Sequence, residues 1–85
     1  MKFSEWKTIT MRKLITLSHT EKYASNMKAK NDLNVLATKL QYLRSRDLAS
    51  FLYLVHVAIR DTGITELLEI IPSEEDLIDM LKEDM

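Results

Sequence analysis

Few residues in this chain could carry out chemistry. Two histidines and no cysteine are the whole stock of imidazole and thiol in 85 residues. Without cysteine there is neither a disulfide frame nor a thiolate zinc site, and the histidines fall in no HExxH pairing, so no metal is expected. Neither GxxxxGK[ST] nor GxGxxG occurs, so the chain offers no phosphate cradle, and no cofactor is expected. Carboxylates are plentiful at residues 74–76 and 83–84. Paired-carboxylate hydrolysis needs a cleft that holds two of them at a fixed separation. Carboxylates at the start of a short helix read instead as solvated charge. No catalytic residue can be named, and the chain reads as a non-enzyme.

His56 lies within an apolar run, residues 51–59, at the border of the core stripe. It reads as a packed, hydrogen-bonded histidine, with a pH-sensitive element as the sharper alternative. His19 falls at the end of the first predicted helix, where an imidazole suits the helix dipole.

Charge is the stronger signal. The net charge is −1, but residues 1–46 hold ten Lys/Arg against three Asp/Glu, and residues 47–85 hold two against ten. The halves therefore carry +7 and −8. Such a split points either to a charged partner or to two halves that attract each other.

Helices must position these charges, because one glycine and one proline leave little punctuation for anything else. The predicted fold is a single all-α domain over residues 1–85: a small bundle of four or five helices around a central buried helix at about 45–61. In that helix Leu48, Phe51, Leu52, Val55, Ala58 and Ile59 share a wedge of about 120°. Tyr53, Leu54 and Val57 fall on the other side, where a surface helix would carry charge. They predict burial on two sides, either within the bundle or at a homodimer seam. Ser45 reads as the N-cap and Gly63 as the left-handed C-terminal residue. The element is too short to span a bilayer, which takes about 20 apolar residues.

Before it, Ser4 is expected to cap a first helix with Phe3, Trp6, Ile9, Leu14 and Leu17 on one broad face. A short turn or helix bearing Tyr23, Ala24 and Met27 follows. KAKND, residues 28–32, reads as a polar connector, with Asn31 or Asp32 capping a helix that carries Leu33, Leu36, Ala37, Leu40 and Leu43. The link to the central helix is short enough to require a hairpin or corner. After Gly63, Thr65 reads as the cap of a short helix that Pro72 stops. Ser73 caps a last helix with Glu74, Glu75 and Asp76 in its first turn. The start of the chain carries Glu5 and Trp6 and no apolar leader core, so a cytoplasmic protein with no membrane segment is expected.

Two binding surfaces follow. Glu66, Glu69, Glu74, Glu75, Asp76, Asp79, Glu83 and Asp84 form an acidic surface suited to a protein partner's basic groove, including that of a nucleic-acid-binding protein. Leu77, Ile78 and Met80 would be its apolar anchors. The expected function is a small regulator or inhibitor that works by protein–protein contact. The alternative is a nucleic-acid-binding regulator using Lys28, Lys30, Lys39, Arg44 and Arg46, with Arg12 and Lys13. Residues 36–52 then read as a degenerate helix-turn-helix, with Ala37 at the small-residue site but one residue too many in the turn.

Overall fold

A computed structural model describes residues 1–82; Glu83 and Asp84 lie outside the described residues. Five α-helices are found there: α1 (Phe3–His19), α2 (Glu21–Ala24), α3 (Met27–Gln41), α4 (Leu48–Thr62) and α5 (Glu74–Lys82). Two 3-10 segments, Ser45–Asp47 and Thr65–Ile70, precede α4 and α5. No strand occurs among the described residues, and the small all-α bundle expected from the sequence is the fold.

The helix α1 starts two residues earlier than expected. Lys2 is its N-cap residue and makes no side-chain bond, and Ser4 lies inside the first turn. Its buried row is Trp6, Thr10, Leu14 and Ser18, a repeat of four residues that includes two small hydroxyl residues. Hydrophobicity alone puts Ile9 on that face, yet Ile9 is 44% exposed. The row is set by Trp6, whose large ring must be covered. Phe3 stacks on the indole at 6.0 Å, Phe51 of α4 meets it edge-on at 6.0 Å, and its Nε1–H donates to the carbonyl of Ile70 at 2.9 Å.

Residues 28–32 are helix, not connector. Asn26 provides the cap: its side-chain oxygen accepts the N–H of Ala29 at 3.2 Å. The cap moves to Asn26 because Ala29 extends the stripe of Leu33, Leu36 and Leu40 by one turn, and all four are buried. At the other end of α3, Lys7 reaches over from α1. Its Nζ donates to the carbonyls of Leu43 (2.9 Å) and Gln41 (3.3 Å), placing a cation where the helix leaves its carbonyls unpaired.

The start of α4 also differs from expectation. Ser45 is buried within a 3-10 turn, and Asp47 is the residue flanking α4, without a side-chain cap bond. The far end is as read: Gly63 has φ +71° and its N–H closes on the carbonyl of Ile59 at 2.8 Å. Leu48, Phe51, Val55 and Ala58 form the buried face of α4. Past Gly63, Thr65 starts the 3-10 segment without capping it, and the preceding Ile64 is fully buried with Leu67 and Ile70. Ser73 does cap α5, its Oγ accepting the N–H of Asp76 at 3.2 Å.

The most extensive pairing is α1 against α3, with α4 next along α3. The result is elongated, 42 × 21 × 19 Å. On the second side of α4 the cover is partial. Tyr53 is 67% exposed, while Leu54 and Val57 are half-buried and Leu54 packs against the core, so the chain itself covers the second side of α4 only in part. His56 is exposed too; it is not the packed core histidine expected, because it falls off the face that meets α3.

Phe51→Ala should destabilise the fold by about 3–5 kcal/mol, and Trp6→Phe by about 1–3 kcal/mol by orphaning the buried Ile70 carbonyl. Lys30→Ala on the surface should change stability by less than about 0.5 kcal/mol. Denaturant melts of the three variants check the ranking.

Candidate functional site

The acidic residues divide by their surroundings. Glu66 is half-buried and already engaged: the Tyr23 hydroxyl donates to its Oε1 at 2.9 Å, the Thr65 hydroxyl at 3.1 Å, and Lys22 Nζ lies 3.6 Å away. The hydrogen bond from Tyr23 holds its carboxyl below the usual range. Burial, and then the bond to Glu66, raise the Tyr23 phenol above its usual value. The bond with Tyr23, and then the charge of Glu66, raise the Lys22 ammonium. Glu66 ties α2 to the segment after α4, 43 residues apart. Asp76 is half-buried, and its Oδ1 lies 3.8 Å from the N-terminal amine of Met1.

Glu69, Glu74, Glu75 and Asp79 are exposed, and none takes part in an ion pair among the described residues. On α5 the helical repeat sorts the outer face into two rows. Glu74, Ile78 and Leu81 follow one, and Glu75, Asp79 and Lys82 the other. Ile78 is 46% and Leu81 43% exposed, so apolar side chains stand beside the carboxylates. The anchors differ from those the sequence suggested. Met80 is fully buried and Leu77 is packed against the core, while Leu81 is outward with Ile78. A helical phase fixed by Met80 would have separated them, but nothing in the local pattern distinguishes Met80 from Leu81 as the inward residue.

Lys28, Lys30, Lys39, Arg44 and Arg46 are all exposed. Lys28 and Asp61 line one furrow between α3 and α4, while Lys39, Tyr42 and Asp47 line its continuation. The two helices therefore run alongside each other in opposite directions, as a hairpin. A DNA-reading helix-turn-helix instead sets its pair at about 90–120°. The five cations are spread over both ends of that hairpin and the turn joining it. Of the remaining side chains, His19 closes the last turn of α1 in the open. Among the described residues no group of three or more His, Asp or Glu is placed to hold a metal ion, and no helix is long and apolar enough to cross a membrane.

The bond between Tyr23 and Glu66 sets an acid dependence. A carboxyl held below its unfolded value, about 4.3 for glutamate, stabilises the fold above that value. The contribution is lost as the pH falls through the folded value. Wild type should exceed Glu66→Gln by less than about 1 kcal/mol near neutral pH, and the difference should shrink steadily on acidification. Paired urea titrations at stepped pH measure it; a difference independent of pH would show that the glutamate charge plays no part.

No protein-family model, curated protein or solved structure matches the chain.

Proposed function

We propose that the chain is a small non-enzymatic regulator or inhibitor that binds a protein partner through the outer face of α5. The observation that supports this reading is the unneutralised acidic face. Of the two oppositely charged halves, Lys22–Glu66 is the one side-chain ion pair within 4.0 Å that joins them among the described residues. The attraction of the halves for each other therefore leaves most of the charge facing solvent. Stability does not account for it either. Glu74, Glu75 and Asp76 at the first turn suit the helix dipole, but Glu75 and Asp79 are like charges one turn apart, a mildly unfavourable pair. Carboxylates interleaved with exposed Ile78 and Leu81 match a partner surface that is basic and carries apolar pockets. A partner that ordinarily binds nucleic acid has that chemistry.

The test begins with capture of the partner from the native host, with and without nuclease, followed by association kinetics against the isolated partner. Glu74→Gln, Glu75→Gln and Asp79→Asn together should slow association and flatten its salt dependence, since exposed charges act within a screening length of about 8 Å. Neutralising Lys28, Lys30 and Lys39 should leave both nearly unchanged. Binding lost on nuclease treatment, or abolished by the lysine variant alone, would replace this reading with nucleic-acid binding through the basic half. In that case a random-sequence duplex should bind the wild type with a steep salt slope.

A further inference from the structure

The partly covered second side of α4 borders a continuous furrow at Leu54 and Val57, and Tyr53 is not among the residues that line it. The furrow runs between α3 and α4 through two stretches of about 200 and 410 Å³ that share Lys39 and Leu54. Leu54 and Val57 line it from α4. Val35 of α3 and Tyr42 just past its end line the other bank, 42% and 75% exposed. Its two banks carry opposite charge. On the α3 bank stand Lys28 and Lys39; on the α4 bank stand Asp47 and Asp61. All four are exposed. Asp61 touches its neighbour Arg60 at 3.5 Å, an exposed contact that leaves it free to meet another cation.

We propose that a second copy of this chain occupies the furrow, related by a two-fold axis running along it. The charges choose that axis. It lays α3 of each copy on α4 of the other and keeps the levels along the furrow. Lys28 then meets the partner's Asp61, and Lys39 meets the partner's Asp47. A two-fold axis across the furrow would set α4 on α4 and bring Asp47 toward the partner's Asp61, like against like. Asp32, half-buried on the α3 bank one turn from Lys28, is the charge outside this pattern. The favoured arrangement covers Val35, Tyr42, Leu54 and Val57 in both copies. It also makes an antiparallel four-helix bundle, in which two opposed helix pairs close a common seam. Self-complementary banks are what an isologous contact requires, since each surface must fit itself.

The experiment uses light scattering over a dilution series of the full chain. Wild type should approach twice the chain mass of 9.9 kDa as concentration rises. Lys28→Glu with Lys39→Glu makes both banks acidic, and Asp47→Lys with Asp61→Lys makes both basic. Each double variant should lose self-association by about tenfold or more, as several weak pairs turn repulsive at once. Mixed in equal amounts, the two variants should pair with each other. Because all four positions are exposed, circular dichroism spectra should match wild type, and melts should match at dilutions where wild type is monomeric, which separates lost association from lost folding. A monomeric wild type at every concentration would overturn the proposal. So would double variants that associate as wild type does, or a mixture that fails to pair. Zero-length carbodiimide crosslinking fixes the axis: a crosslinked dimer joining Lys28 to Asp61 is expected. Crosslinked dimers lacking that pair would reject this orientation.

Discussion

One indole closes this fold. The Trp6 Nε1–H reaches the Ile70 carbonyl 64 residues away in a buried site, while its ring is held between Phe3 and Phe51. Ile70 ends a 3-10 segment, so its carbonyl has no partner within that segment. The neighbouring Lys7 performs the same service for the end of α3. The first turn of α1 thus completes the C-terminal ends of two other elements. The indole ring is buried as well as bonded, and the Lys7 ammonium lies 5.6 Å from the centre of the Phe3 ring, so polar satisfaction and packing meet at one place.

Around that closure the surface keeps its charges apart. Ion pairs between exposed side chains contribute little, so a chain of this size gains little by neutralising itself. What a separation of charge does provide is a field that orients approach and rejects partners of the wrong sign. Here the acidic end of the chain and the alternating banks of the furrow present two different patterns, and the two patterns suit different occupants.

The sequence made the architecture legible where the physical signal was local. Gly63 stopped α4 because only glycine adopts positive φ without strain, and Ser73 capped α5 because its hydroxyl accepts a helix N–H. The apolar stripe of α4 emerged as read, from Leu48 through Ala58. The failures came where tertiary contact overrode local pattern. Thr10 and Ser18 are buried in α1 although neither is apolar, while Ile9 is turned outward. Asn26 took the capping role that Asn31 and Asp32 were expected to fill, because Ala29 belongs to the core. In the acidic surface, Glu69, Glu74, Glu75 and Asp79 are exposed as read. The bond of Glu66 to Tyr23 spans 43 residues and leaves no mark on local spacing.

The order in which the elements meet has a kinetic consequence. The helices α1, α2 and α3 are consecutive and joined by very short links, and α1 lies along α3. Their pairing closes small loops, which costs little chain entropy and favours rapid formation. The segment from Ile64 onward joins the common core through buried Ile64, Leu67, Ile70 and Met80, and the indole and Tyr23–Glu66 bonds close long loops. Opening that segment exposes Ile64, Leu67 and Met80 while leaving the α1–α3 hairpin paired. Amide protons of α5 therefore have a route to exchange, by opening of the segment after Gly63 alone, that those of α3 lack.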